Sequence, residues 1–268
     1  MDYTELVEPL SLDEAFLDVT ENHKKMASAV LIAKEIKERI RAKTGLTASA
    51  GVSINKFLAK IASDYRKPDG MFVILPKDVE SFVEGLEIER FFGVGKVTAQ
   101  KMHLLGIHTG ADLKKFGEEW LVHHFGKVGH TYYYNARAID DREVVPNRIR
   151  KSVGAENTFE TDLEASTKMT LELYQIARRV WERIEEQQFY GRTITLKIKY
   201  ADFEILTRSK TLPSPITQFR VFWDTAREMV KLIDTSEKKV RLMGLSISHH
   251  EDAQLPSGGI QLKLKFKD

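Results

Sequence analysis

The chain has 268 residues, of which 42% are hydrophobic and 30% charged, a composition typical of a globular protein with one or two cores. Its 41 lysines and arginines nearly balance its 39 aspartates and glutamates, so net charge favours no class of partner. Because cysteine is absent, disulfides, thiolate metal sites and cysteine nucleophiles are excluded. No apolar run approaches the roughly 18 to 20 residues that cross a bilayer, and a signal-peptide pattern is missing, so we expect a cytoplasmic protein without membrane contact.

The first 76 residues alternate between strand and helix patterns, which predicts an α/β layer. Asn22 is placed to open an amphipathic helix, in which apolar residues recur at helical spacing up to Ile40, and Gly45 is placed to end it. The other predicted elements are strands at 6–12, 15–20 and 48–53, a helix at 54–65 and a strand at 71–75.

From 77 to 145 the strand pattern is absent and short helical segments alternate with glycines, which predicts a small all-helical domain. The next segment, 146–152, contains Arg148, Arg150 and Lys151 and no acidic residue. We interpret it as a basic linker.

Residues 153–250 show a β-α-β-β-α-β order of patterns, which predicts a ferredoxin-like domain. In such a domain two helices cover one face of a four-stranded sheet, and the other face is free for a ligand. The predicted elements are strands at 152–159, 192–200, 204–212 and 239–249 and helices at 166–188 and 216–233. The last stretch, 251–268, is interpreted as a flexible tail that ends in a peptide motif.

An acidic pair, Asp13 and Glu14, stands between two β-prone runs, where an antiparallel hairpin would turn. Adjacent side chains in a straight strand face opposite sides, but at a turn both carboxylates can project from one end. Carboxylate oxygens are the ligands that a hard divalent cation such as Mg²⁺ prefers. The pair is a candidate metal site, and the alternative is a solvated surface loop.

Two segments are suited to phosphate groups. The first is a cluster of Asn55, Lys56, Lys60 and Asp64 with the turn Arg66–Gly70, in which Lys67 beside Pro-Asp-Gly presents a cation on a rigid loop. A basic helix face followed by an ordinary turn is the alternative. The run Gly93-Val94-Gly95-Lys96 predicts a helix-hairpin-helix, because glycine permits close approach of a ligand and the amides at a helix start attract phosphate. A plain helical turn is the alternative there, and Gly126–Gly129 has the features of a weaker second copy.

Basic residues cluster in the linker and in the strands of the last domain: Arg150, Lys151, Lys197, Lys199, Arg208 and Lys210. Residues two apart share one face of a strand. We therefore predict that Lys197, Lys199, Arg208 and Lys210 form one basic sheet face, opposite the helices, that follows a phosphate backbone. A charged solvent face without a ligand is the alternative.

The C-terminal end carries a run that begins with Gln261 and lies beyond a Gly-Gly hinge. In extended form it would place Leu262, Leu264 and Phe266 on one side, as anchors for an apolar groove of another protein. The alternative is a final strand of the domain.

In their order and spacing these motifs resemble the Y-family translesion DNA polymerases, nearly from end to end. The resemblance rests on Ser11–Ala15, Ala50–Ser53, Lys67–Gly70, Gly93–Gly95, Arg150–Gly154 and the terminal Gln-Leu motif. It implies an α+β multidomain fold with a partial palm at 1–76, an all-helical thumb at 77–145, a linker at 146–152, a little finger at 153–250 and a tail with a clamp-binding motif at 251–268.

The resemblance also implies an error-prone DNA polymerase that bypasses damaged bases and acts as a monomer on primer-template DNA, deoxynucleoside triphosphates and a ring-shaped sliding clamp. Asp13 and Glu14 match two of the three carboxylates that hold two Mg²⁺ ions in the family, and Lys67 matches a contact to the incoming triphosphate. The implied clamp-binding residues are Gln261, Leu262, Leu264 and Phe266.

One departure from the family pattern concerns the beginning of the sequence. The family starts with a strand that bears the first metal-binding aspartate, followed by a fingers domain, and neither is found in these 268 residues. We therefore expect a fragment that does not extend a primer by itself. Two classes of function remain open, an error-prone polymerase represented by part of its chain, or a non-catalytic fragment that binds DNA and the clamp.

Overall fold

The structure of the protein is a computed structural model that describes residues 2–164, 166–233 and 238–250. The chain divides into two compact units, Met1–Arg148 and Ile149–Asp268, and the division falls inside the basic segment 146–152. Among the described residues, no helix is both long enough and apolar enough to cross a membrane.

The first unit begins with short strands and two helices. Its strands are β1 (Val7–Pro9), β2 (Ala15–Leu17), β3 (Ala50–Val52) and β4 (Met71–Val73). Its first helices are α1 (Ala29–Thr44) and α2 (Lys56–Tyr65). Strands β1 and β2 form an antiparallel hairpin, whereas β3 and β4, which are connected through α2, pair in parallel.

Helix α1 begins later than the sequence pattern predicts. The side chain of Ser28 accepts a hydrogen bond from the helix backbone and caps the helix there. Asn22 does not open the helix, because its side chain exchanges two hydrogen bonds of 2.9 Å with the backbone of Met26 and closes a local loop. Asparagine side chains hydrogen-bond the backbone both as helix caps and in local loops, so the presence of Asn22 alone did not decide between a helix start and a loop. The predicted stop at Gly45 is confirmed, since this residue has a φ of 73° at the end of the helix.

Strand β3 and helix α2 touch through their backbones at Gly51. A Cβ atom at this position would lie 2.1 Å from the carbonyl oxygen of Ala59 and 2.3 Å from the amide nitrogen of Ser63. Glycine is therefore required here for packing, and the close contact fixes α2 against the strand.

We expect Gly51→Ala to lower the free energy of unfolding by about 3 kcal/mol, the upper part of the usual range for overpacking, because neither backbone can move aside easily. Urea unfolding followed by circular dichroism measures the change. Gly117→Ala is the matched control, because a Cβ at Gly117 meets nothing within 4 Å. Equal unfolding midpoints for the two variants would contradict the packing argument.

Residues 77–145 contain five α-helices: α3 (Val79–Glu84), α4 (Lys96–Leu104), α5 (Gly110–Lys114), α6 (Glu118–Phe125) and α7 (Val128–Asn135). The predicted helical character of this stretch is thus confirmed. However, Phe57 and Ile61 of α2 belong to the same buried cluster as Phe91, Met102 and Leu121. The boundary that the sequence pattern draws at residue 76 is therefore not a break in the hydrophobic core.

The second unit is an antiparallel sheet covered on one face by two helices. Its elements are β5 (Ser152–Leu163), α8 (Ser166–Gln187), β6 (Gly191–Tyr200), β7 (Ile205–Thr211), α9 (Phe219–Lys231) and β8 (Val240–His250). The predicted β-α-β-β-α-β order is confirmed. Buried side chains from the strands, among them Ile194, Leu196 and Ile247, form one core with side chains of both helices.

The strand order of this sheet corrects the ferredoxin-like prediction. The order is β5-β8-β6-β7, so the second and fourth strands along the chain, β6 and β8, lie in the centre. In a ferredoxin-like sheet the first and third strands are central. The alternation of apolar residues determines which face of a strand is buried, but it does not determine which strands become neighbours.

Candidate metal site and nucleic-acid interface

The loop between β1 and β2 carries Asp13 and Glu14, at the hairpin turn that the sequence predicts. The amides of Leu10 and Ser11 donate to the carbonyl oxygen of Glu14 at 2.8 and 3.2 Å, which closes the turn. The hydroxyl of Ser11 donates to Oδ1 of Asp13 at 2.7 Å, and Asp13 is exposed. Asp13 is thus an accessible carboxylate whose direction is set within the loop.

Glu14 faces the basic side of α2. Lys60 Nζ lies 3.0 Å from Glu14 Oε1 and 3.0 Å from Asp64 Oδ2. Lys67 Nζ lies 2.6 Å from Asp64 Oδ1 and 3.8 Å from Glu14 Oε1. The fold therefore brings the predicted metal ligand Glu14 and the predicted phosphate ligand Lys67 into one cluster, although they are distant in sequence. We call Glu14, Lys60, Asp64 and Lys67 the charge cluster.

Two members of the charge cluster, Lys60 and Asp64, belong to the predicted basic cluster before Lys67, but the sequence assigned neither of them a role of its own. Burial alone would lower the pKa of Lys60, but its hydrogen bonds to Glu14 and Asp64 outweigh burial and raise that pKa. Burial alone would raise the pKa of Asp64, but hydrogen bonds from Lys67 and Lys60 lower it. Both groups stay charged at neutral pH, so a cation that binds at Glu14 competes with Lys60, and an anion that binds at Lys67 competes with Asp64. Their i,i+4 spacing on α2 was the available sequence signal.

Helix α1 holds the turn that follows Lys67. Lys37 Nζ donates to the carbonyl oxygens of Asp69 and Gly70 at 2.6 and 3.1 Å. Arg41 lies 3.1 Å from Oδ2 of Asp69. These contacts from the basic face of α1 were not predicted. Helical periodicity shows which face of a helix is polar, but it does not show which distant segment of the chain that face contacts.

The donors at the hairpin turn fit a divalent metal by their chemistry. Mg²⁺ binds carboxylate oxygens, and it commonly takes one or two of them while keeping several waters. Asp13 and Glu14 supply such oxygens. In the part of the chain that the structure describes, no group of three or more acidic, histidine or cysteine side chains is arranged to hold a metal.

The predicted helix-hairpin-helix turn lies between a 3₁₀ turn at Ile88–Arg90 and α4. Gly93 has a φ of 93°, in the region that favours glycine, and Gly95 is the N-cap residue of α4. A glycine cap brings no side-chain oxygen to the first amides of a helix. Lys96 beside them is exposed, whereas Phe91 is buried. The turn thus presents backbone amides and one cation to solvent from a packed base.

The second glycine-rich run also joins two helices, α6 and α7. Gly126 ends α6 with a φ of 70°, and a Cβ at Gly129 would lie 2.4 Å from the backbone of Leu121. Gly129 is therefore needed for the packing of the two helices against each other.

The basic residues of β6, Lys197 and Lys199, and those of β7, Arg208 and Lys210, lie on opposite faces of the sheet. This corrects the prediction of a single basic face. Arg208 is paired with Leu196 and Lys210 with Ile194, and directly paired residues share a face. Because Leu196 and Ile194 are buried under the helices, Arg208 and Lys210 point to the helix side of edge strand β7.

Lys210 confirms this orientation, since its Nζ lies 2.9 Å from Glu228 Oε2 of α9. Lys197 and Lys199 lie on the face of the sheet opposite the two helices, which we call the open face. There Lys197 Nζ is 2.8 Å from Glu156 Oε2. Pairing register decides which alternate residues of two strands share a face, and the spacing within each strand does not contain it. Arg150 and Lys151 are exposed in the segment before β5.

The open face of the sheet is rich in hydroxyl groups, which the sequence prediction missed. Register across the four strands aligns one row of Ser152, Ser248, Thr193 and Thr211 and a second row of Gly154, Ser246, Thr195 and Ser209. Thr195 and Ser209 are hydrogen bonded at 2.8 Å, and Thr193 and Thr211 at 2.9 Å. Alternate Ser and Thr residues in β6, β7 and β8 were the available signal. The predicted clamp-binding residues Gln261, Leu262, Leu264 and Phe266 lie outside the described residues.

Three protein-family models match the chain. The impB/mucB/samB family matches residues 1–64, the IMS family HHH motif matches 76–107, and the impB/mucB/samB family C-terminal domain matches 150–264. The matched segments contain the acidic hairpin, the glycine turn before α4 and the four-stranded sheet.

Solved structures share this architecture. A Y-family DNA polymerase chimera of Dbh and Dpo4 superposes with a TM-score of 0.79 and 27% identity, over 91% of this chain and 71% of that chain. An insertion ternary complex of Dbh DNA polymerase superposes with a TM-score of 0.53 and 25% identity, over 91% and 71% of the two chains. Fold and motif together define a Y-family polymerase fold with a helix-hairpin-helix.

Sequence comparison with curated proteins identifies the family within this class. DNA polymerase IV of Bacteroides fragilis (strain YCH46) is 49% identical over all of this chain and 74% of its own length. DNA polymerase IV 2 of Agrobacterium fabrum is 51% identical over 92% of this chain and 69% of its own length. The chain therefore belongs to the DNA polymerase IV family of Y-family DNA-directed DNA polymerases.

Proposed function

We propose that this chain takes part in error-prone, template-directed nucleotidyl transfer past DNA damage. We propose further that it acts in the cytoplasm and as a monomer. The observation that supports this most is the charge cluster, in which a carboxylate suited to a metal lies 3.8 Å from a lysine suited to a phosphate. A metal–triphosphate complex needs both groups side by side. The non-catalytic alternative is not favoured, because the relatives are polymerases.

In this proposal Asp13 and Glu14 hold Mg²⁺, which when bound activates the primer 3′-hydroxyl and neutralises charge on the triphosphate. Lys67 leaves Asp64 and contacts the triphosphate as a point charge. Lys60 remains beside Glu14 and sets the orientation of its carboxylate. The roles of palm for 1–76, thumb for 77–145 and little finger for 153–250 belong to the same proposal.

Primer-template DNA is proposed to bind at two places, the turn Gly93–Lys96 and the open sheet face. Phosphate oxygens accept hydrogen bonds from backbone amides, from Ser and Thr hydroxyls and from lysines. The turn offers backbone amides and Lys96, and the open face offers hydroxyls together with Lys197 and Lys199. Such contacts carry little sequence preference. Arg150 and Lys151, which precede β5, extend the basic surface of the second unit.

We expect the affinity for primer-template DNA to fall steeply as salt rises, with a log-log slope of about −0.9 for each duplex phosphate contact. Lys197→Ala with Lys199→Ala should flatten this slope, since both residues lie on the open face. Arg208→Ala with Lys210→Ala is the matched comparison, because it removes the same charge from the helix side of the neighbouring strand. Fluorescence anisotropy at several salt concentrations gives the slopes, and equal slopes for the two double variants would contradict binding by the open face.

A second proposed partner is the sliding clamp, bound by the C-terminal peptide. Leu262, Leu264 and Phe266 alternate with lysines, so in extended form three apolar anchors can enter a groove while the lysines remain in water. Family resemblance supplies the identity of this partner.

Deletion of 261–268, or Leu264→Ala with Phe266→Ala, should abolish binding to the purified clamp and leave DNA binding nearly unchanged. Truncating an anchor of an interface commonly costs on the order of 1 to 4 kcal/mol. Isothermal titration calorimetry with the clamp measures the loss. Lys263→Ala with Lys265→Ala is the control that should retain binding, and equal affinities of the intact and truncated chains would show that the peptide is not the anchor.

A further inference from the structure

Lys56, the first residue of α2, has an unusual environment for a lysine. In the part of the chain that the structure describes, it is the only lysine or arginine that is buried, with 8% of its surface exposed. A buried cation needs partners, because transfer of an unpaired charge out of water is very unfavourable. The partners of Lys56 are therefore informative about its role.

Those partners come from the hairpin and from the segment that ends the first unit. Lys56 Nζ donates to Glu8 Oε2 of β1 at 2.5 Å and to the carbonyl oxygen of Glu143 at 3.0 Å. It also lies 5.2 Å from the ring centroid of Phe16 on β2. Glu8 and Phe16 are directly paired across the hairpin. One ammonium group thus contacts both strands at the central pair of the hairpin.

Glu8 is held from a second direction as well. Its Oε2 accepts a hydrogen bond of 2.8 Å from the amide of Val145. Burial alone would raise the pKa of Glu8, but the hydrogen bonds from Lys56 and from this amide outweigh burial and lower the pKa. Glu8 is therefore an anion at neutral pH, and the pair with Lys56 is ionic.

Helix α2 contacts the hairpin at two levels. Lys56 and Lys60 are four residues apart and share one face of the helix. Lys56 reaches Glu8 at the central pair of the hairpin, and Lys60 reaches Glu14 at its turn. The start of α2 is in turn fixed by Asp140, whose Oδ2 accepts a hydrogen bond of 2.9 Å from the amide of Phe57.

We propose that Lys56 is a positioning residue for the metal site, because its ion pair with Glu8 fixes the hairpin that carries Asp13 and Glu14. This inference rests on the proposed metal-binding role of those two carboxylates. A buried ion pair is often replaceable by uncharged residues without loss of stability, so its geometric effect can be separated from its effect on folding.

The test measures Mn²⁺ binding by electron paramagnetic resonance in the full chain, together with urea unfolding of each variant. Lys56→Met should weaken Mn²⁺ binding about tenfold. This is the lower end of the loss in affinity that follows when a residue supporting the metal ligands, without touching the metal, is removed. Lys56→Met with Glu8→Gln is the decisive variant, since the glutamine keeps an acceptor for Val145 and no charge is left unpaired. It should unfold like the wild type and still bind Mn²⁺ about tenfold more weakly.

Lys114→Met is the matched control, because this lysine bridges Glu80 and Glu84 in the helical stretch and has no contact with the hairpin among those described. It should leave Mn²⁺ affinity unchanged. Wild-type Mn²⁺ affinity in the folded Lys56→Met, Glu8→Gln variant would overturn the positioning role while leaving the metal site intact. Mn²⁺ binding that survives Asp13→Asn with Glu14→Gln would instead overturn the metal site, and the positioning role with it.

Discussion

Asp13→Asn together with Glu14→Gln should weaken divalent-metal binding by this chain at least about 100-fold, more than the loss of an outer partner causes. Both substitutions keep the size of the side chain and an oxygen acceptor, so the hydrogen bond from the Ser11 hydroxyl can persist. What they remove is the negative charge that a hard cation requires. The measurement is titration with Mn²⁺ followed by electron paramagnetic resonance.

Asp18→Asn provides the control for this experiment. Asp18 follows β2 on the same hairpin, and its Oδ1 accepts the amide of Thr20 at 2.9 Å, away from the charge cluster. Its substitution removes one negative charge from the same hairpin, at the end opposite the turn, and should leave Mn²⁺ affinity unchanged. If Asp18→Asn weakened binding as much as the double substitution, metal attraction would be a property of the general negative charge and not of the turn.

The second large effect is expected at the glycine turn before α4. Gly93→Ala with Lys96→Ala should lower the affinity for primer-template DNA about tenfold, which corresponds to about 1.4 kcal/mol. Gly93 has a φ of 93°, which an alanine adopts only with strain, so the turn changes shape and its amides move. Loss of Lys96 removes one phosphate contact in addition.

Lys115→Ala is the matched control for the turn, because Lys115 is an exposed lysine of the same helical stretch and is paired with Asp112. It should leave DNA affinity nearly unchanged at equal salt. Fluorescence anisotropy with a labelled primer-template gives both affinities. A loss of affinity in Lys115→Ala equal to that in the turn variant would mean that only the total positive charge matters.

Much of the candidate site was predictable because its chemistry is local. Glycines at 93 and 95 followed by a lysine define a turn through backbone freedom and one cation, and the structure places that turn before a helix as expected. Asp13 and Glu14 at a hairpin turn were predictable for the same reason. Contacts of Glu14 with Lys60 and Lys67 were not, since residues 46 and 53 positions apart meet only when α2 packs beside the hairpin.

The basic sheet face shows the opposite case, in which a correct local rule gave a wrong global result. Each pair, Lys197 with Lys199 and Arg208 with Lys210, does share one face of its own strand. Register pairs Arg208 with the buried Leu196, however, and so turns the second pair to the helix side. A shift of one residue in pairing would exchange the faces, and nothing in the spacing within a strand records that shift.

The sequence by itself determined the helical character of 77–145, the stop of α1 at Gly45, the acidic turn, the glycine turn and the order of strands and helices in the second unit. These follow from periodicity, backbone preferences and residue chemistry, which act over a few neighbouring positions. Tertiary structure alone decided the central place of β6 and β8, the separation of the two basic pairs and the burial of Lys56 against Glu8. Each of these depends on which distant segments pack together, because pairing register and desolvation are properties of contacts between elements and not of any one of them.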